Sequence, residues 1–370
     1  MASKHRLLII TTGGTIAGQV ASDKIDDGLK RTAQDLEGLL GETIGYQNLR
    51  NQLDIDLKVD SSIPGVDSSN ILPDHWKQIA LMIKDKYDDY ESFVITHGTN
   101  TLGYTCAALS FALANPNKPI ILTGSQVPAG LPGSDALLNL ENAIRVATWK
   151  REGTQIKGVL GVFGSHIITG TRVKKDTEFD YDAFKSFNTG SVGRIGRIIN
   201  LNETNLAKHN SYLTTSLGPA ARTQADLRCE PEFDMRIASL TEFPGMSPGL
   251  FKTLVEKNDI KAFILRAFGA GDPSERHLEA FRFLKNEKIP IVVTTQAPNG
   301  NSNFQVNEPG LILRKEKLAI PAYDMGIEAQ TTKLAWLLYK KMRGDLSYSD
   351  LSVEMIRDIH GEINVMWEVG

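Results

Sequence analysis

The chain predicts an α/β protein of two domains, a larger one built on a doubly wound parallel sheet and a smaller α/β one after it. Short apolar runs alternate with amphipathic stretches through roughly the first two hundred residues, the pattern of a parallel sheet covered by helices. A polar stretch with Asn, Ser, Thr, Gly and Pro then interrupts the alternation, and a second, shorter alternation follows it. A length of 370 residues also exceeds what one hydrophobic core usually supports.

The boundaries read as a first domain at 1–204, a linker at 205–233 and a second domain at 234–370. In the first domain the apolar runs Leu7 to Thr11, Leu53 to Val59, Phe93 to Thr96, Ile120 to Thr123 and Val159 to Phe163 predict strands. Between them, Pro73 to Asp85, Thr101 to Leu113 and Ala136 to Trp149 carry apolar residues at spacings of three and four, which predicts helices. In the second domain, strands are expected at Arg236 to Leu240, Ala262 to Arg266 and Ile289 to Thr294. Helices are expected near Gly249 to Lys257, Glu275 to Lys285 and Thr331 to Lys340, with a closing helix at Ser349 to Glu362.

Composition narrows the function classes. Hydrophobic content of 41% and charged content of 23% are those of an ordinary globular protein. A formal net charge of -3, with no long run of like charge, offers no electrostatic footprint for nucleic acid. Small molecules or further copies of the chain are the expected partners. Cys106 and Cys229 stand far apart with no metal-binding spacing, and Cys106, next to Ala107, Ala108 and Leu109, reads as a buried small hydrophobe. The apolar run near the amino end is too short for a signal core, and no stretch is long and apolar enough to span a membrane, so a cytoplasmic location is expected.

Three strands of the first domain end in similar chemistry: IITTGGTIAG, VITHGTNT and ILTGSQ. In open α/β sheets the loops beyond the carboxyl ends of the strands meet at a ligand-binding crevice, so Thr15, Thr99 and Ser125 are expected to converge. Adjacent glycines allow close backbone approach and leave N–H groups for a developing oxyanion. GGTIAG is neither a Walker loop nor a dinucleotide fingerprint, since the Gly-Lys-Ser/Thr ending and the G-x-G-x-x-G spacing are both missing. A hydroxyl nucleophile needs a base. His97 lies near Thr99 but is poorly phased to face it, and no G-x-S-x-G elbow exists. Lys174 and Lys175 are the other candidates, as a lysine whose pKa is lowered by desolvation can take a proton.

These segments, with DSSNILPDHWKQIA at 67–80, SDALLNL at 134–140, TGTRVKK and DAF within 169–184, LRAFGAGD at 265–272 and DMGIEAQTTKL at 324–334, resemble the asparaginase and glutaminase family, in the family's order and over nearly the whole chain. DSSN and the R-x-x-K segment look more like the type I, cytoplasmic branch. The resemblance implies a flavodoxin-like first domain, a smaller second domain and a homodimer or homotetramer. It also implies hydrolysis of a small-molecule side-chain amide, that of L-asparagine, through an acyl-enzyme ester, with no metal or cofactor. Thr15 matches the nucleophile. Thr99 matches the threonine beside the catalytic lysine, which falls on Lys175 by its distance to Phe184. Ser68 matches a binder of the substrate carboxylate and Ser69 its neighbour in the pocket.

Three positions depart from the family pattern. Asn100 stands where the family usually has an aspartate that helps hold the substrate ammonium, and asparagine is isosteric but uncharged. GQVASDKIDDGLKR, after Thr15, lacks the usual activating tyrosine, leaving Tyr104 and Tyr323 as candidates to replace it. The usual Tyr-Gly-x-Gly-Asn reads Phe268 to Asp272, and Asp272 is expected to return a negative charge to the pocket from this or a neighbouring subunit. Two other functions fit the same residues: an amidase for an amide or imide lacking an α-ammonium, and a non-catalytic amino-acid-binding regulator.

Overall fold

Strands that are apolar on both faces form the centre of the first of two units, residues 1–231 and 232–370. The computed structural model describes residues 4–14, 16, 52–129, 131–151, 154, 156–215, 227–305 and 307–364. In chain order the first unit carries β1 (His5–Thr11), β2 (Ile55–Asp60), α1 (Pro73–Asp85), β3 (Ser92–Thr96), α2 (Leu102–Ala112), β4 (Leu113–Ala114), β5 (Pro119–Thr123), α3 (Ala136–Ala147), β6 (Gly158–Phe163), β7 (His166–Thr169), β8 (Val173–Lys175), β9 (Phe184–Ser186), β10 (Gly193–Ile195), β11 (Ile199–Leu201), α4 (Glu203–Thr215) and β12 (Arg228–Cys229).

The main sheet runs β11-β10-β7-β6-β5-β3-β1-β2. From β2 to β6 all neighbours are parallel, and β7, β10 and β11 extend the sheet antiparallel. Leu7, Ile9, Val94, Ile121 and Leu160 pack on one face with Leu140, Ala143 and Ile144 of α3. The alternate residues Leu8, Ile10, Phe93, Ile95 and Ile120 are equally buried on the other face, which is why these strands read as continuous apolar runs. Helix α2 is buried nearly all round, which explains its uniformly apolar sequence.

The second unit carries β13 (Ile237–Thr241), α5 (Gly249–Asn258), β14 (Ala262–Ala267), α6 (Leu278–Asn286), β15 (Ile291–Thr295), α7 (Glu308–Lys315), β16 (Ile320–Pro321), α8 (Ile327–Arg343) and α9 (Tyr348–Ile356). Its four strands are parallel in chain order. Phe251, Phe281 and Leu313 cover one face through Phe263, Leu265 and Val293; Leu334, Leu338, Leu351 and Met355 cover the other through Ile264 and Val292.

The expected linker at 205–233 is redrawn. Its first part belongs to α4, where Leu206, His209 and Leu213 recur at spacings of three and four and are buried. The His209 imidazole donates from Nε2 to the Lys157 carbonyl (2.8 Å) and accepts from Thr169 Oγ1 (3.2 Å), fastening the helix to the first unit. β12 pairs with β4, so the first unit runs to residue 231 rather than 204. A polar composition concealed a short amphipathic stripe. The closing helix expected to reach Glu362 stops at Ile356.

Candidate active site

β5, β3 and β1 are neighbours in the sheet, so the loops leaving their carboxyl ends lie side by side. Backbone bonds stitch the strand ends together: Thr12 N–H to Thr96 O at 3.2 Å and His97 N–H to Thr123 O at 2.9 Å. Thr12 Oγ1 donates to the same Thr96 carbonyl at 2.9 Å. Gly13 (φ 94°) and Gly14 (φ 85°) follow, in the left-handed region. A Cβ on Gly13 would lie 2.6 Å from the Val66 nitrogen, and one on Gly14 would lie 2.5 Å from the Gly98 nitrogen. The glycines of TTGG thus let the first loop nest against residues 65–66 after β2 and against Gly98 after β3. Thr15, the expected nucleophile, and residues 17–51 lie outside the described residues.

Thr99 follows β3, and Lys175 ends β8, whose hairpin with β9 sets Lys175 opposite Phe184. Lys175 Nζ and Thr99 Oγ1 are 3.0 Å apart. Partial burial lowers the Lys175 pKa, and the Glu178 carboxylate opposes that shift. A threonine hydroxyl within hydrogen-bond reach of a lysine driven toward its neutral form is a pair able to move a proton.

Residues 67–70 close against the same loop. The Asp67 carboxylate accepts the Ser69 N–H at 2.9 Å and shapes a short turn over Ser68–Asn70. Thr101 Oγ1 donates to the Ser68 carbonyl at 2.6 Å, and Asn100 Nδ2 donates to Ser69 Oγ at 2.8 Å. Ser68 is buried, and its Oγ has no hydrogen-bond partner among the described residues. Asn100 and Ser69 are exposed. Of the residues singled out by sequence, the structure therefore joins Thr99 to Lys175 and Asn100 to Ser69, with Ser68 beside them. Asp272 and Tyr323 belong to the second unit: the Asp272 carboxylate accepts the Asn307 side-chain amide, and the Tyr323 backbone pairs with Ser302. Tyr104 stands on the first turn of α2.

His97 is wholly buried and fully engaged. Its Nδ1 donates to the Gly98 carbonyl at 2.7 Å, its Nε2 accepts from Thr105 Oγ1 at 2.9 Å, and Thr105 Oγ1 accepts the Trp76 indole N–H at 3.0 Å. Burial pushes its pKa down to about 4, so it is a neutral structural bridge with both nitrogens occupied rather than a base for Thr99. Cys106 is buried, and burial raises its thiol pKa strongly, as expected of an inert small hydrophobe.

Sequence reading passed over Asp135 and Asn139, in the SDALLNL segment at the start of α3. The Asp135 carboxylate accepts the Gln126 N–H (3.0 Å), the Val127 N–H (2.9 Å) and Asn139 Nδ2 (2.9 Å). Asn139 also donates to the Gly124 carbonyl (2.9 Å) and accepts the Gly164 N–H (3.0 Å). Two short polar residues one helical turn apart, soon after a strand-end loop, were the available signal. Among the described residues, no group of three or more His, Cys, Asp or Glu is placed to hold a metal ion, and no helix is long and apolar enough to cross a membrane.

Residues 6–207 match the family described as Asparaginase, N-terminal, and residues 236–346 match the Glutaminase/Asparaginase C-terminal domain. The chain is 32% identical over 366 residues to the L-asparaginase of Thermococcus kodakarensis, covering 97% of this chain and 99% of that one. It is 30% identical over 359 residues to a component of the glutamyl-tRNA(Gln) amidotransferase of Methanococcus maripaludis, covering 96% of this chain and 80% of that protein. Among solved structures, L-asparaginase I of Vibrio cholerae superposes with a TM-score of 0.81 at 29% identity, covering 98% of this chain and 100% of that one.

Proposed function

The chain belongs to the asparaginase and glutaminase family, and from that premise we propose that it hydrolyses the side-chain amide of L-asparagine to L-aspartate and ammonia. The observation that carries this reading is the 3.0 Å contact between Lys175 Nζ and Thr99 Oγ1, with the lysine pKa lowered by burial. In the reaction, Thr15 attacks the amide carbon and its proton leaves toward the Thr99–Lys175 pair. The tetrahedral intermediate collapses with protonation and loss of ammonia. Water, deprotonated by the same pair, then cleaves the threonyl ester. Ser68, buried and with no partner for its hydroxyl among the described residues, is suited to receive the substrate carboxylate, with Ser69 beside it. The cycle calls for no metal or cofactor, and we take the protein to act in the cytoplasm as a homodimer or homotetramer.

Asn100 bears on the rate and on the substrate. Its side chain donates to Ser69 Oγ and carries no charge, so this position cannot balance a substrate ammonium. That supports a second reading, an amidase for an amide or imide without an α-ammonium. The test is ammonia release from L-asparagine, L-glutamine and D-asparagine by this protein and by Asn100→Asp. A gain of roughly a hundredfold on L-asparagine in the Asp variant is expected, the low end of general acid-base effects. If both proteins are folded and inactive on all three, the asparaginase reading fails, and amides without an ammonium become the substrates to try.

A further inference from the structure

The hairpin that carries Lys175 is gripped at its turn by a residue outside the Thr99–Lys175 pair. Gln126, half-buried in the loop after β5, donates through Nε2 to the Glu178 carbonyl at 2.7 Å and reaches the Asp180 carbonyl at 3.4 Å. Its own backbone is held in turn, since the Asp135 carboxylate accepts the Gln126 and Val127 N–H groups. Asp135 is braced by Asn139, which ties the same loop to the end of β6 through Gly164. Other bonds also hold the turn, among them Tyr181 Oη to the Gly133 carbonyl at 2.6 Å, Ser165 N–H and Oγ to the Asp182 carboxylate at 2.7 and 3.1 Å, and Asp176 N–H to the Ala183 carbonyl at 2.9 Å. The Gln126 bonds tie the 178–180 segment, three to five residues after Lys175, to the loop after β5.

We propose that Gln126 is a positioning residue for the reaction, holding the 178–180 turn so that Lys175 stays partly buried against Thr99. The proposal rests on the reading of Lys175 as the proton acceptor. The charged groups around Lys175 are mostly on its own hairpin. Glu178 favours its charged form, Lys174 precedes it, and Asp176 is already paired with Lys185 on the opposite strand. Thr99, facing it from the β3 loop, is uncharged. Loosening the turn admits water to Lys175, relieves its burial and returns it toward an ordinary lysine, so less of it is neutral at neutral pH.

Gln126→Met removes both bonds at nearly constant volume. The first readout is the pH dependence of Lys175 acetylation by trace acetic anhydride, followed by peptide mass spectrometry. Fragment ions separate Lys175 from Lys174, and the exposed Lys252 serves as the internal reference. The second is ammonia release against pH. The expected result is a Lys175 midpoint displaced upward by about half a pH unit or more, with kcat at neutral pH lower by about tenfold or more and KM changed far less. An unchanged Lys175 midpoint in the folded variant overturns the proposal, whatever the activity. Gln126→Leu, which also removes the amide and adds no charge, carries the same test if the Met variant does not fold. If the unaltered protein releases no ammonia from any amide, the asparaginase reading fails, while the acetylation midpoint still decides the role of Gln126.

Discussion

Thr105 does the work of two hydrogen-bonding residues, accepting from Trp76 and donating to His97 in a region closed to water. Thr105→Val keeps the shape, removes both bonds and leaves His97 Nε2 without its donor, which should cost about 1–3 kcal/mol, the cost of one orphaned buried group. Urea unfolding measures it; a loss under about 0.5 kcal/mol would mean that water replaces the hydroxyl. Lys175 is the opposite case. It is not needed for packing, so Lys175→Met should leave the melting temperature nearly unchanged while lowering kcat by about 10² to 10⁴, the span of a lost acid-base group. A Met variant retaining more than about a tenth of the activity would remove Lys175 from the proton path.

Helix α9 ends at Ile356 because the residues after it have a stronger use for their polar groups than another helical turn. Glu362 turns inward, accepts the N–H groups of Ile359 (3.0 Å) and His360 (2.6 Å), and meets Lys333 Nζ of α8 at 2.6 Å, with both side chains fully buried. Gly361, at φ 81°, permits the turn. Burial alone would raise the Glu362 pKa, but the Lys333 charge and the bonds around the carboxylate prevail and hold it at about 2. Glu362→Gln therefore leaves the Lys333 ammonium buried without its counter-charge and should cost about 3–5 kcal/mol. Replacing both partners together, Lys333→Met with Glu362→Leu, should recover much of that loss, and chemical denaturation of the single and double variants separates the two cases.

Taken as a whole, the molecule should respond to acid unit by unit. In the first unit, burial depresses the pKa of His97, to about 4, and of His209, below the ordinary value of 6.5. Between those values the unfolded chain binds protons that the folded chain refuses, so the first unit loses stability as pH falls from about 6.5 toward 4. Partly buried His5 and His166 are shifted in the same direction. Glu362, in the second unit, gives its full contribution above 4.5 and loses it only as pH falls through about 2. Hydrogen exchange at pH 7 and pH 5, corrected for intrinsic rates, should show β3 and β5 losing protection before β14 and β15. The reverse order would mean that the buried histidines do not govern acid stability.

Sequence by itself determined what depends on local pattern: the parallel strands as apolar runs, the main helices as three-and-four stripes, and the nesting loops as Gly-Thr segments at strand ends. Thr99 was legible for that reason, because a strand end brings its loop to the sheet's carboxyl edge whatever the rest does, whereas Asn100 and Ser69 were singled out only by the resemblance to the family. Tertiary structure alone decided the pairings between distant segments. Lys175 could not be told from Lys174 by local pattern, since only the β8–β9 register sets one of them beside Thr99. The helical start of the presumed linker depended on His209 finding Lys157 and Thr169, and the end of α9 depended on Glu362 finding Lys333. Periodicity records which face of an element meets the core; it does not record which polar group across the fold will satisfy a buried donor or charge.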